Sequence, residues 1–439
     1  MNWKKLTLAA SISTLSLATQ AQSLEQAVAI TLATNPEIRS AFHDFKSRQQ
    51  DINGAIGAYR PSLDLDAGIG YENVDTVRGT ETDLTRKEAT LTLTQLIWDG
   101  SSTYNDINRT EAETESLRYQ LLSDAQDKAL NVVEIYINAI KAEEVLKLSE
   151  NNLFIHKKIY KDIKKRTNSG IGSTADLVQV EARLSRAHSN LLAAQNNLFD
   201  AHTQFRRAVG QEPQDLIKPE VDELALPLSL QDAIKTATSE HPVLKVSAED
   251  IEAAQFQYKQ SQGVNYPTIS FEASQSWQED AGGLEGQTDE FTAMIRMRYN
   301  LYNGGADRAA SVKAAYQVDK SKDLRDNALR MLEEGTHLSW NALNYTQQQK
   351  EFLAEHVDAA AKTVIAYEKQ FRIGKRTLLD LLNTENELFE ARKSYLDANY
   401  SEDLAKYRVL NATGSLLNAL RVDIPDEWSK SVKNSAEDK

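Results

Sequence analysis

The chain has 439 residues, no cysteine and a formal net charge of −14. The missing cysteine excludes disulfides, thiolate metal sites and a lipidated N-terminal cysteine, and the acidic balance argues against nucleic acid as a partner. Beyond the N-terminus no apolar run is long enough for a spanning helix, and mean hydropathy is −0.51, so any membrane contact must come from strands or a surface helix.

Residues 1–21 read as a secretory signal: Lys4 and Lys5, an apolar run from Leu6 to Ala18, then Thr19-Gln20-Ala21 with small residues at the cleavage positions. Cleavage is expected after Ala21. The run is too short to anchor across about 30 Å of hydrocarbon. Loss of its two lysines takes the charge from −14 to −16.

Helical spacing follows in Ile38, Ala41, Phe45, Ile52, Ile56 and Tyr59, ending before Pro61. The period then switches to two. Leu63, Leu65, Ala67, Ile69 and Tyr71 alternate with small and acidic residues, which predicts a strand over about 62–71. A polar stretch from Glu72 to Glu88 precedes a second alternating run, about 89–98. From about 101 a helical pattern continues to Asn168, a rod of about 100 Å, with two adjacent apolar seams that call for two neighbours. Ser169 to Ser173 breaks it, and a heptad of alternating large residues and alanines (Leu177, Val180, Leu184, Ala187, Leu191, Ala194) brings the chain back to about 210. Residues 211–228, with three prolines, read as an irregular surface linker.

The arrangement then repeats. Pro61 recurs as Pro267 at an offset of 206, and Gly100, Gly170 and Gly210 recur as Gly304, Gly374 and Gly414 at 204. The chain therefore divides into a signal (1–21), a first repeat (22–228), a second repeat (229–424) and a polar C-terminal tail (425–439). In the second repeat, strands are expected at about 268–277 and 291–302 and a hairpin at about 305–414. Thr384 and Glu402 are polar exceptions in its returning heptad.

A strand of about ten residues, tilted, covers an apolar band of about 25 Å. Tyr71, Trp98, Trp277, Tyr299 and Tyr302 sit near strand ends, as membrane-interface aromatics do. The alternative is a small sheet packed on helices with its polar face in water. Four strands cannot close a barrel, and open edges are not tolerated in lipid, so the membrane reading requires oligomerisation. Two copies would give eight strands around a filled core, and three would give twelve around a lumen. Asp64, Asp66, Glu272, Arg296 and Arg298 lie on the polar faces. Packing those charges into a filled core would cost several kcal/mol each, which favours the water-filled trimer.

These residues resemble the TolC-like outer-membrane channels. The resemblance rests on the duplicated halves, the strand pair in each, the Trp98-Asp99-Gly100 and Tyr302-Asn303-Gly304 exits, and the turn from Gly374 to Leu382. It implies a mainly α fold with a four-stranded antiparallel β contribution per chain. Long hairpins would form a periplasmic α-barrel beneath a trimeric twelve-stranded outer-membrane β-barrel. Partners would be two further copies, outer-membrane lipid, a periplasmic adaptor (membrane fusion) protein and an inner-membrane transporter, expected to be of the ABC type. By motif position the resemblance implies an entrance latch at Asp176 and Arg376, with Phe371 where the family has a tyrosine. It also implies an entrance constriction at Asp380 and Asn383, the latter acidic in the family. Taken alone, Asp176 is an acid near a helix start and Arg376 an ordinary surface cation.

No catalytic motif is present: the seven histidines lack ligand spacing, and neither GxSxG nor GxxxxGK[ST] occurs. No enzyme, metal or cofactor is expected. A periplasmic coiled-coil adaptor or structural protein is the rival class, but neither accounts for four amphipathic strands. The stretch from Ile155 to Tyr160 and the Gly170-Ile171-Gly172 turn resemble the type I secretion branch with its adhesin exporters, with drug efflux as the alternative.

Overall fold

The computed structural model describes residues 22–75 and 81–432. The proposed signal and the last residues of the tail lie outside these. Two short helices begin the chain, α1 (Leu24–Thr34) and α2 (Pro36–Gly57). Ser23 and Gln26 form a reciprocal capping box on α1, and Asn35 caps α2 through the Glu37 amide at 2.9 Å, with Pro36 as first residue.

Strands β1 (Ser62–Asp75) and β2 (Glu81–Trp98) follow, then α3 (Ser102–Asn168) and α4 (Thr174–Val209). Gly210, at φ +83°, ends α4 in the left-handed conformation that glycine tolerates. After the linker come α5 (Leu230–Glu240), α6 (Pro242–Gln262), β3 (Thr268–Ala281), β4 (Leu284–Arg298), α7 (Ala306–Arg372) and α8 (Leu378–Ala412). Two single turns, α9 (Leu416–Ala419) and α10 (Asp426–Ser429), complete the chain. α3 and α7 are both 67 residues long, about 100 Å of rod each.

The sheet is antiparallel in the order β1-β2-β3-β4, leaving β1 and β4 as free edges. Among the helices, α3 packs on α4 and α8, and its upper part on α2 and α6; α6 also packs on α7. The two seams of α3 thus meet two hairpin neighbours. The largest core gathers α1, the middle of α3 and the ends of α4 and α8 around the fully buried Tyr136, Tyr407 and Phe205.

Three expectations are corrected. The strands extend beyond the apolar alternation, to 75, from 81, and to 281 and 284. Of the stretch read as a polar loop, 76–80 lie outside the described residues, and the flanks 72–75 and 81–88 pair, helped by side chains: Arg86 bonds Glu72 at 2.9 Å, and Tyr71 donates to Asp83 at 2.5 Å. β4 stops at Arg298, so Tyr299 and Tyr302 lie past its end.

The linker is not a loose surface segment. The Tyr136 hydroxyl donates to the carbonyl of Gln22 or Ile217, at 2.7 and 2.8 Å, and accepts from the Ile217 amide at 3.1 Å.

The described part of the tail, read as polar, is docked. Trp428 is buried against Phe42, and Val432 packs on Phe45 and Ile52. Beneath them the buried Arg118 donates to the Trp428 carbonyl at 3.0 Å. One apolar residue every four or so was enough, because the groove between α2 and α3 supplied the rest of the burial.

Candidate functional site

Cross-strand partners share a face, so the register sorts every strand side chain. Asp64 and Asp66 stand opposite Thr92 and Thr90; Thr94 stands opposite Glu272; Arg296 and Arg298 stand opposite Ser270 and Thr268. All five charged residues therefore lie on one face. Arg296 meets Glu272 at 2.6 Å. The other face carries Leu63, Leu65, Leu91, Leu93, Phe271, Ile295 and Met297, several of them more than 60% exposed. A soluble protein rarely exposes such a patch.

The aromatics divide between the two ends of that band. Tyr71 and Trp277 sit toward the β-turns, whereas Trp98 closes the helical end in an edge contact with Tyr266, and Tyr299 approaches Asn265 nearby.

The opposite end of the molecule is formed by the α3–α4 and α7–α8 turns. Ser173 caps α4, and Thr377 with Asp380 forms a capping box on α8. Asp380 accepts from the Thr377 hydroxyl at 2.9 Å and amide at 3.2 Å; these bonds, then Arg376, hold its carboxyl below the usual range. Arg376 lies 4.0 Å from Asp380, donates to Gln370 at 3.1 Å and covers the Tyr367 ring.

Within the chain no ion pair joins Asp176, in the first turn of α4, to Arg376. Asn383 accepts from Arg183 of α4 at 2.9 Å, a bond between the two hairpins. Phe371 fills a cluster with Ile163, Val180, Leu378 and Leu382 under the Arg166 guanidinium. A groove of about 390 Å³ opens beside it, lined by Lys158, Asp162, Glu368 and Glu385. Burial, then Glu368, raises the Glu385 carboxyl.

Sequence patterning missed the links that hold the hairpins at mid-height. Glu402, a polar exception in the α8 heptad, receives Lys350 of α7 at 2.6 Å and Lys406 at 3.3 Å. Its placement at a core position was the available signal. The buried Glu115–Arg118 pair on α3 had none beyond its helical spacing.

A two-faced sheet carried on rods of about 100 Å defines an outer-membrane barrel subunit with a periplasmic stem. The outer membrane efflux protein family matches residues 27–211 and 233–415, and the chain belongs to it. It is an outer-membrane protein extending into the periplasm, a conduit rather than an enzyme. Outer membrane efflux protein BepC of Brucella suis is 27% identical over 88% of this chain and 86% of its own. Alkaline protease secretion protein AprF of Pseudomonas aeruginosa is 23% identical over 84% and 80%. The CmeC outer membrane channel of Campylobacter jejuni superposes with a TM-score of 0.81 at 14% identity, covering 100% of this chain and 94% of that one.

Proposed function

We propose that three copies form a passive export duct, twelve strands closing a water-filled barrel and twelve long helices a periplasmic tunnel. The observation that carries this is the pair of unlike free edges. β1 and β4 each leave their outer edge unpaired at opposite ends of one sheet, and α7 exposes Leu324, Met331, Leu338, Tyr345 and Phe352 at strict seven-residue spacing. Edges that differ join head to tail and close only in a ring. Asp64, Asp66, Glu272, Arg296 and Arg298 then face water in the lumen, and the leucine-rich face meets lipid between the aromatic ends.

The hairpin turns form the entrance. Asp176 and Arg376 act as its latch between neighbouring hairpins, and Asp380 with Asn383 narrows it. Phe371 serves as packing beneath the latch. An exposed ion pair contributes about 0–1 kcal/mol, but three symmetric copies on one aperture bias opening by a few.

With no ion-carrying spanning helix among the described residues, the energy comes from an inner-membrane transporter, reached through a periplasmic adaptor at the tips. The cargo is a secreted protein of the adhesin type; the turn sequences and the secretion role in AprF's name support this. Small-molecule efflux is the second reading, favoured by the similarity to BepC. Deleting the gene and measuring both secreted protein and drug tolerance separates them. Loss of secretion with unchanged tolerance supports the first; lost tolerance with intact secretion overturns it.

A further inference from the structure

The duplication makes the junction between the two halves of one chain a template for the junction between copies. Inside the chain, the trailing edge of the first half (β2, α3) meets the leading edge of the second (β3, α6). The trailing edge of the second half (β4, α7) and the leading edge of the first (β1, α2) are the two that remain free. Leading elements correspond at an offset of 206 and trailing ones at 204. The hairpin registers agree with those offsets, since Ser62 pairs with Thr94 as Thr268 pairs with Arg298.

Three contacts of the internal junction carry over. In the sheet, Thr94 pairs with Glu272, which maps to Arg298 against Asp66. At the base of the sheet, a Cβ on Gly100 would lie 2.5 Å from the Gly263 carbonyl, so the backbones there touch. Their counterparts are Gly304 and Gly57, both glycine and both facing open space in the single chain. Below, Ser116 of α3 donates to Asp250 of α6 at 2.7 Å, which maps to Lys320 of α7 against Asp44 of α2.

We propose that neighbouring copies repeat this junction, placing Arg298 against Asp66, Gly304 against Gly57 and Lys320 against Asp44 of the next copy. The repeated junction pairs opposite charges twice, while the internal Lys87–Glu279 and Asp106–Gln260 contacts correspond to Phe291 against Asn73 and Ala310 against Gly54. None of the four charged residues has an ion-pair partner among the described residues. Four adjacent strand pairs also fit: Met297 meets Ala67 and Ile295 meets Ile69 on the apolar face, and the long Arg296 and Met294 meet Gly68 and Gly70 on the polar one. Gly57 is explained as well, because it lies in a helix with ordinary φ and nothing within its own chain requires a missing side chain.

The inference rests on the trimeric reading, and the test separates the two. The chain has no cysteine, so paired cysteines report without background. Successive cross-strand pairs alternate between wide and close side-chain spacing, so two adjacent pairs are used, Met297→Cys with Ala67→Cys and Arg298→Cys with Asp66→Cys. Displaced controls are Met297→Cys with Leu65→Cys and with Ile69→Cys. Oxidised outer membranes should yield covalent trimers from an in-register pair and little from the displaced ones. A particle of three-chain mass that cross-links only in a displaced pair, or in none, overturns the register and leaves the trimer standing. A monomeric mass overturns both.

The helical layer has its own test. Lys320→Glu should lower the temperature at which the oligomer dissociates, and adding Asp44→Lys should restore it. Failure to restore removes that contact from the interface.

Discussion

Glu115 and Arg118 lie 2.6 Å apart on α3, both about 95% buried or more, and each holds the C-terminal segment by its backbone. Arg118 donates to the Trp428 carbonyl at 3.0 Å, and Glu115 accepts from the Val432 amide at 3.2 Å. The segment thereby fastens α2, which leads into β1, to the start of α3, which leaves β2. Breaking a buried pair by removing one partner costs about 3–5 kcal/mol. Arg118→Met should lower the stability of the purified oligomer by that order in thermal unfolding. Truncation after Ile424 should have a comparable effect, since it strips both charges of their backbone partners.

Tyr136 is the matching anchor at mid-height. Burial pushes its hydroxyl up to about 12, so it remains a neutral donor at any working pH. Tyr136→Phe leaves the Gln22 and Ile217 carbonyls and the Ile217 amide without this partner. A loss of about 1–3 kcal/mol is expected, with faster amide exchange confined to the linker around Ile217.

His156 carries a pH dependence. It is buried on α3 with Nδ1 unbonded, and burial, reinforced by Arg183, holds its pKa below the ordinary 6.5. Its neutral form is the one the fold accepts, so its contribution is complete above the unfolded pKa and declines as pH falls below it. The unfolding temperature of the native chain should therefore drop more steeply below about pH 6.5 than that of His156→Gln. His241, also lowered by burial, keeps some slope in the variant.

Much of this architecture is written locally. The switch from period 3.6 to 2 at Pro61, the alternation of Leu63 to Tyr71 and the glycines at the turns are decisions each segment makes by itself, and they are legible one segment at a time. What is not legible depends on partners far away in sequence. Residues 72–75 and 81–88 are too polar to read as strand, yet pair because Arg86 finds Glu72 and Asp83 finds Tyr71 across the ladder. Trp428 sits in a polar tail and is buried because α2 and α3 leave a groove for it. At the tips, motif position places Asn383 at the entrance, and its bond to Arg183 between the hairpins is a long-range contact that a turn motif does not reveal. Asp176 and Arg376, the proposed latch, do not meet within one chain, where Arg376 has the local partners Asp380 and Gln370.

The duct is tested most directly by the conductance of the purified, detergent-extracted protein in a planar bilayer, with its oligomeric mass measured on the same sample. A three-chain particle should form pores of low conductance, and replacing Asp176 with Asn and Arg376 with Gln together should raise it severalfold. Unchanged conductance in that double variant would remove the latch and leave the duct. A monomer that passes no current would contradict the duct itself.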